Sequence, residues 1–224
     1  FLRHAVAACS EGLGIAGVLF YRWKLKEPIR ILKEGTERIR MQDLDFSIPV
    51  VSADELGGIC AAFEIMRLEQ MPVRRKAVDG ALLRQELEET AELLAAPRRP
   101  SVRVSVEEQC VDRVYIDHGI FLTVAENLIG NAVRFARQEV FVCLRQEGGC
   151  LILSVGDDGP GYPAALLRDG PKPFGKASED AAHFGMGLYS SQVLCGKHGG
   201  ELRLENRAKE EGGGARIMAV FGEK

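Results

Sequence analysis

Three short segments in the C-terminal half constrain the fold of this chain more than any other feature. In chain order they are 126–132 (ENLIGNA), 157–161 (DDGPG) and 185–188 (GMGL). The first places the carboxamides of Asn127 and Asn131 at i and i+4, on one face of a helix. The second ends an apolar strand with a carboxylate and a Gly-x-Gly turn, and the third opens a helix whose free N–H groups favour phosphate. Amide oxygens can bind a metal, a carboxylate can bind the edge of a base, and glycine N–H groups can bind phosphates. Together these segments predict a nucleotide site.

This order of segments resembles the ATP-binding domain of sensor histidine kinases, in the wider family that includes gyrase, Hsp90 and MutL. Asn127 to Asn131 is similar to the N box, 157–161 to the G1 box and Gly185-Met186-Gly187 to the G2 box. Phe174 resembles a reduced F box. The resemblance covers residues 73–224 and implies an α+β fold, the Bergerat-type α/β sandwich with a mixed sheet and helices on one face.

The resemblance also implies a role for individual residues in binding ATP. Asp157 is expected to accept a hydrogen bond from the adenine amino group, with a simple turn residue as the alternative. Gly159 and Gly161 are expected to let the backbone approach the base. The remaining candidates, expected near the phosphates or in the segment that covers them, are Arg134, Phe174, Lys176, Gly185, Gly187 and Leu188.

The amide oxygens of Asn127 and Asn131 are expected to ligate Mg²⁺, which prefers hard oxygen ligands and keeps several waters. The alternative for either residue is a buried, hydrogen-bonded amide. In the gyrase and MutL relatives, a water-activating Glu stands where this chain has Asn127. Glu126 lies one residue away, about 100° around the helix, so it should face elsewhere. The site therefore suits phosphoryl transfer better than hydrolysis.

The apolar patterns and turn residues predict alternating strands and helices after residue 72. Gly148-Gly149 between two apolar runs predicts a hairpin turn. Residues 160–184, rich in Pro, Gly and charge, are expected to form a mobile lid. Strands are predicted near 73–78, 101–106, 112–116, 139–146, 150–156, 201–205 and 214–221, and helices near 79–95, 119–136 and 186–198.

Residues 23–70 predict two helices joined by an extended connector. Pro28 lies at the start of the first helix, Phe46 and Ile48 are placed to plug a bundle, and Ser52 with Glu55 forms a capping box for the second. The pattern resembles a HAMP domain, and a generic helical hairpin is the alternative. Because a HAMP bundle needs four parallel helices, the resemblance implies a homodimer.

The segment 1–22 resembles a partial transmembrane helix. It is mostly apolar and precedes Arg22, Lys24 and Lys26, a basic flank typical of the cytoplasmic side. Glu11 interrupts it, and it is short for a span. A signal-peptide-like or buried helix is the alternative. The membrane interpretation locates the protein at the cell membrane, with residues 71–224 in the cytoplasm.

The phosphate-accepting histidine of the resembled family is missing from its expected place. That family carries it on a two-helix domain between HAMP and the ATP domain, whereas Pro72 here breaks the second helix just before the first predicted strand. The sequence has no histidine between His4 and His118. His4, His118, His183 and His198 are expected to be cap, surface or lid residues.

Composition excludes some functions. A net charge of −3 over 224 residues does not suggest a protein that binds nucleic acid. The 6 cysteines form no Cys-x-x-Cys pair and no Cys/His ligand spacing. They are expected to be small buried residues in a reducing compartment, with a zinc site as the alternative.

Three function classes remain open. The first is a sensor histidine kinase that phosphorylates histidine only on another chain, with a response regulator expected as its partner. The second is an ATP-binding pseudokinase that modulates a partner. The third is an anti-sigma-type protein-serine kinase, which the HAMP-like segment disfavours.

Overall fold

The structure is a computed structural model with two compact units, one ending at Gln70 and the other beginning at Met71. It describes Tyr21 and residues 26–44, 46–48, 55–96, 101–109, 111–172, 186–208 and 213–222. Of the segment 1–22, interpreted above as a partial transmembrane helix, all but Tyr21 lies outside these residues. Within them, no helix combines the length and apolarity needed to cross a bilayer.

The first unit contains two helices, α1 (Glu27–Arg40) and α2 (Glu55–Gln70). Pro28 lies in the first turn of α1, where its missing N–H has no helical partner to lose. Ile48 in the connector is buried, and a Cβ on Gly35 of α1 would lie 2.9 Å from its Cδ1. This confirms that an apolar connector residue plugs the helix pair. Ser52 and the side chain of Glu55 lie outside the described residues.

A buried ion pair fastens this connector to α2. Arg67 contacts Glu64 at 2.7 Å, with side-chain exposures of 7% and 13%. Glu64 Oε2 also accepts the backbone N–H of Ile48 at 2.8 Å, and Arg67 Nη1 donates to the carbonyl of Leu44 at 2.7 Å. The Phe46 ring lies under the same guanidinium, 5.6 Å from ring centroid to Cζ.

The second unit is built on a mixed five-stranded sheet in the order β2-β4-β5-β7-β6. Strand β2 runs parallel to β4, and the other pairs are antiparallel. The strands are β2 (Arg103–Gln109), β4 (Glu139–Glu147), β5 (Cys150–Asp157), β6 (Leu202–Asn206) and β7 (Ala215–Gly222). Gly148 and Gly149, both at positive φ, make the predicted two-residue turn between β4 and β5.

Helices α3 (Gly80–Ala95), α4 (His118–Phe135) and α6 (Met186–Lys197) accompany this sheet. Alternate residues of the central strands are buried, as expected where helices cover one face of a sheet. Those buried on β4, β5 and β7 are Val140, Val142, Leu144, Leu151, Leu153, Val155, Ile217, Ala219 and Phe221. The mixed sheet with helices on one face, predicted from the resemblance, is confirmed.

A small second sheet pairs β1 (Lys76–Asp79) with β3 (Arg113–Ile116) in antiparallel register. A strand was predicted near 73–78, and β1 begins later than that, at Lys76, because its pairing with β3 begins there. Asp79 caps α3 by accepting the N–H of Ala81 at 3.0 Å. Asp117 caps α4 by accepting the N–H of Ile120 at 3.1 Å.

A short helix, α5 (Ala164–Asp169), occupies part of the segment expected to be an irregular lid. Its first residues follow Pro163, and the N–H groups of Leu166 and Leu167 bond to the Pro163 carbonyl. Pro163 is the N-cap, with an extended ψ of 145°, and its carbonyl accepts the first hydrogen bonds of the helix. Residues 173–184 of the expected lid are outside the described residues.

Two expectations about histidine and cysteine need correction. His198 follows the end of α6, but its ring is fully buried rather than at the surface. His118, by contrast, is half-exposed and contacts Glu86 at 2.7 Å. Of the cysteines that the structure describes, Cys60 and Cys195 are buried, whereas 143 and 150 are only half-buried because they lie on the uncovered face of the sheet.

Candidate nucleotide-binding site

The candidate site is centred on Asp157, the last residue of β5. Its side chain is 4% exposed. Oδ1 accepts backbone N–H groups from Gly159 at 2.8 Å and Ala215 at 3.4 Å. Oδ2 accepts no hydrogen bond from any residue that the structure describes. Burial raises the pKa of this carboxyl, although the two N–H donors oppose that effect. One carboxylate oxygen is therefore fixed and the other remains available.

Asp158 faces away from Asp157. Its carboxylate accepts the N–H of Arg137 at 2.7 Å and that of Gln138 at 3.1 and 3.0 Å. Burial acts to raise the pKa of Asp158, but these backbone donors outweigh it and hold the pKa below its usual range. The carboxylate of Asp158 therefore holds the loop between α4 and β4 in place, which is a structural role.

Gly159 and Gly161 make close approaches to other parts of the protein. A Cβ on Gly159 would lie 2.4 Å from the carbonyl oxygen of Phe135, at the end of α4. Gly161 has φ of +83°, and a Cβ there would lie 2.8 Å from Asn206 Oδ1. Only glycine fits both positions without displacing backbone or a hydrogen-bonded side chain. The turn after Asp157 is thus held against α4 and β6.

Helix α4 presents the two amides beside the start of α6. Asn127 and Asn131 are both half-buried. The Oδ1 of Asn127 lies 3.4 Å from the position that a Cβ on Gly187 would take. Gly187 and Leu188 belong to the first turn of α6, where backbone N–H groups have no helical acceptor. The structure therefore brings the first of the two amides to the G2-like segment.

Two charged residues of α4, Glu126 and Arg134, differ from the amides in their surroundings. Glu126 is exposed, which confirms that it does not share the amide face. Arg134 is half-buried, with its Cζ 5.3 Å from the centroid of the Phe135 ring. Of the remaining predicted site residues, Phe174, Lys176 and Gly185 lie outside the described residues.

Tyr162 is a site residue that the motifs did not reveal. The side chain of Asn206 holds its backbone, accepting the N–H at 2.6 Å and donating to the carbonyl at 3.0 Å, and its phenol is close enough for the charge of Asp157 to affect it. Burial, followed by that negative charge, raises the pKa of Tyr162 and keeps the phenol protonated. The only sequence signal was an aromatic residue directly after the Gly-x-Gly turn. Nothing in the local pattern indicated that Asn206, at the end of β6, would hold it.

The donor chemistry of this site fits ATP and Mg²⁺. An available carboxylate oxygen suits an exocyclic amino group, and two neutral amide oxygens suit a hard cation that also keeps phosphate and water ligands. In the parts of the chain that the structure describes, no group of three or more His, Cys, Asp or Glu residues is placed to hold a metal.

Two family models match the chain. Residues 116–223 match the histidine kinase-, DNA gyrase B- and HSP90-like ATPase family, and residues 20–69 match the HAMP domain. The catalytic domain of histidine kinase ThkA has a similar fold, with a TM-score of 0.57 at 21% identity over 67% of this chain and 96% of that domain. Full-length ShkA in complex with AMPPNP gives a TM-score of 0.60 at 20% identity, over 88% of this chain and 46% of ShkA.

Similar curated proteins are also sensor kinases. Sensor protein kinase PilS of Pseudomonas aeruginosa is 36% identical over 98 residues, which is 41% of this chain and 18% of PilS. Sensor histidine kinase CssS of Bacillus subtilis is 22% identical over 191 residues, which is 81% of this chain and 42% of CssS. The chain thus spans less than half the length of either relative. Residues 116–223 thus match an ATPase domain of that family and residues 20–69 a HAMP domain, and the chain is similar to sensor histidine kinases.

Proposed function

We propose that this chain binds Mg-ATP and acts in phosphoryl transfer to a histidine carried by another chain. The single observation that most supports this function is the state of Asp157. Its Oδ1 is held by two backbone N–H groups, and its Oδ2 accepts nothing from the described residues. Oδ2 would accept a hydrogen bond from the amino group of adenine. Because the carboxylate is buried, such a hydrogen bond to a charged oxygen is strong.

Asn127 and Asn131 would hold Mg²⁺ through their side-chain oxygens, beside the start of α6. When bound, the ion supplies positive charge that offsets the charge developing on the transferred phosphoryl group. The backbone N–H groups around Gly187 and Leu188 would meet phosphate oxygens, because the N-terminus of α6 carries the positive end of its dipole. Gly185 would extend this cradle.

The remaining predicted residues complete the proposal. Arg134 would approach a phosphate from α4, and Lys176 and Phe174 would act from the segment that covers the nucleotide. Gly159 and Gly161 would let that segment leave β5 sharply, since neither tolerates a side chain. The exposed position of Glu126 supports transfer rather than hydrolysis, because the carboxylate next to Asn127 in the chain is then not at the amide face to activate water.

Self-phosphorylation is not expected of this chain. Only residues 71–75 separate α2 from β1, so no helical hairpin bearing an acceptor histidine lies between them. His118 contacts Glu86, and the His198 ring is fully buried, so neither is presented as an acceptor. This observation favours a second candidate function, an ATP-binding pseudokinase that regulates a partner kinase. The HAMP match disfavours the third candidate, a serine kinase of the anti-sigma type.

We further propose a homodimer formed through the first unit. Large apolar side chains on its helices are exposed in the single chain: Ile29 by 54%, Ile59 by 43% and Met66 by 47%. Pairing with a second copy would remove this surface from water.

Two more proposals come from the family alone. Residues 1–22 would attach the protein to the membrane, with the ATP-binding unit in the cytoplasm. A response regulator would be its partner. Nucleic acid is not expected as a partner.

Calorimetry with ATP and Mg²⁺ tests the nucleotide site. Wild-type protein should bind in the micromolar range, and Asp157→Ala should lose binding because the base is no longer recognised. Asp112→Ala, which removes an exposed carboxylate elsewhere in the same unit, is the matched control and should bind normally. A folded wild-type protein that takes up no nucleotide would rule out the proposed function.

Transfer of label from γ-labelled ATP separates the two leading functions. The chain alone should incorporate no acid-labile phosphate. Adding a separate dimerisation and phosphoacceptor domain from a sensor histidine kinase should give a labelled acceptor if the chain is a competent kinase. Nucleotide binding without any transfer would instead favour the pseudokinase, and labelling of the chain alone would overturn the expectation that it cannot phosphorylate itself.

A further inference from the structure

We propose that Arg207 is a positioning residue that fixes the backbone of Asp157 and thereby aims its Oδ2 at the base of the nucleotide. This inference rests on the proposed function and deepens it, because it concerns how the same site selects adenine. Arg207 directly follows β6. Its Nη1 donates a hydrogen bond to the backbone carbonyl of Asp157 at 3.3 Å, across 50 positions of the chain.

Arg207 reaches this carbonyl along the uncovered face of the sheet. Phe141 alternates along β4 with buried residues, so its ring lies on the face opposite to theirs. The Cζ of Arg207 lies 4.7 Å from the centroid of this ring, which is within the range of a cation–π contact. Its Cδ lies 3.6 Å from the position that a Cβ on Gly156 would take. The side chain therefore passes beside β5 at the residue before Asp157, and the Phe141 ring supports the guanidinium there.

The carboxylate of Asp157 lies on the other face of the sheet. Asp157 pairs with Val140 of β4, whose side chain is buried on the covered face. Directly paired residues of neighbouring strands carry their side chains on the same face. Arg207 and a nucleotide bound to Asp157 would thus lie on opposite faces of the sheet, and any effect of Arg207 on binding has to pass through the backbone of Asp157.

The carbonyl of Asp157 lies where the strand ladder ends. The pairing of β5 with β7 stops at Gly156 and Arg216, one residue before Asp157. Two residues further on, the N–H of Gly159 donates to Oδ1 of Asp157 at 2.8 Å. Rotation about the Cα–C bond of Asp157 would move its carbonyl and this N–H together relative to the side chain. By fixing the carbonyl, Arg207 therefore fixes the donor that holds Oδ1, and with it the direction of Oδ2.

A pair of ligands isolates this effect. Purine riboside triphosphate lacks only the exocyclic amino group of ATP, so the ratio of the two affinities reports the hydrogen bond to Oδ2. Calorimetry in Mg²⁺ should show that wild-type protein binds ATP about 10-fold or more tightly than the analogue. Arg207→Met keeps the apolar stem and removes the donor. Its affinity for ATP should fall by about 3- to 10-fold, with little change for the analogue, which completes a double-mutant cycle between Arg207 and the amino group.

Phe141→Leu is a second variant, because it removes the ring that supports the guanidinium and leaves the donor in place. A smaller loss is expected, again for ATP only. Arg203→Met is the matched control, at an exposed arginine on β6 that pairs with Glu201, and it should keep the wild-type ratio.

Equal losses for the two ligands in Arg207→Met, or an unchanged ratio, would overturn the positioning role while leaving nucleotide binding intact. Wild-type protein that binds neither ligand would instead overturn the proposed function itself. Wild-type protein that binds both equally would overturn the recognition of adenine by Asp157.

Discussion

His198 and Asp117 join the ends of two helices of the nucleotide-binding unit. The ring Nε2 of His198 accepts the backbone N–H of Asp117 at 2.9 Å, just before α4 begins, while Nδ1 donates to the carbonyl of Gly222 at 3.0 Å. The neutral tautomer with its proton on Nδ1 satisfies both bonds. His198 follows α6, so one buried ring couples the helix that carries Gly187 to the helix that carries the amides.

This arrangement predicts that stability depends on the charge of His198. Burial, followed by the positive charge of Arg75, lowers the pKa of His198 in the folded protein. The unfolded chain, with a histidine pKa of about 6.5, then binds a proton that the folded chain does not. The stability associated with neutral His198 is complete above about pH 6.5 and is lost as the pH falls below that value.

Urea unfolding of the second unit between pH 8 and pH 5 measures this loss. The free energy of unfolding should fall by up to about 1.4 kcal/mol per pH unit below pH 6.5. His198→Gln, which cannot titrate, should have a shallower slope even if it is less stable at pH 8. An unchanged slope in the variant would mean that other groups cause the pH dependence.

Asp157→Asn should separate stability from binding. Burial raises the pKa of Asp157, so its charged form is less stable in the fold than in the unfolded chain at neutral pH. An uncharged amide should therefore raise the unfolding temperature, since its oxygen can still accept the N–H groups of Gly159 and Ala215. Affinity for ATP should fall by about 10-fold or more, because a hydrogen bond to a charged group is lost.

Differential scanning calorimetry and ATP titration of the same preparation check both halves of this prediction. A variant that is less stable than wild type would show that the carboxylate supports the fold rather than the ligand. Such a trade-off between stability and function is common at binding sites.

Two glycine substitutions should have opposite effects on stability. Gly159→Ala should destabilise the second unit by about 2 kcal/mol or more, because a Cβ would lie 2.4 Å from the backbone oxygen of Phe135. Gly196→Ala in α6 should stabilise it by about 0.5–1 kcal/mol, since no atom lies within 4 Å of the new Cβ and alanine favours a helix. Chemical unfolding of both variants tests the pair. Similar effects at the two positions would contradict the contact at Gly159.

The buried ion pair between Arg67 and Glu64 should contribute far more to the stability of the first unit than the ion pairs on its surface do. Arg67→Ala should destabilise this unit by about 3–5 kcal/mol, because it leaves the buried carboxylate of Glu64 without its partner. Arg40→Ala is the matched control within the same unit. Its pair with Glu37 has exposures of 73% and 51%, so the change should stay within about 0.5 kcal/mol. Thermal unfolding of both variants gives the comparison, and equal losses would contradict the prediction.

Most regular elements of the second unit were predictable because their signals are local. The Gly148-Gly149 turn follows from two residues that accept positive φ. The amide-bearing helix and the alternating strands follow from periods of 3.6 and 2 residues. The helical turn after Pro163 was missed because residues rich in Pro, Gly and charge resemble a loop in composition, although proline can begin a helix.

By itself, the sequence determined the class of fold, the order of the site segments and the identity of the chemistry-bearing side chains. Spacing along a helix or strand is enough for these, since each depends on neighbouring residues. Only the tertiary structure decided how those side chains are held. Asn206 holds Tyr162 across 44 positions, and Asp117 bonds to His198 across 81. Contacts between residues so distant in the chain depend on how strands and helices pack, and no local pattern encodes them.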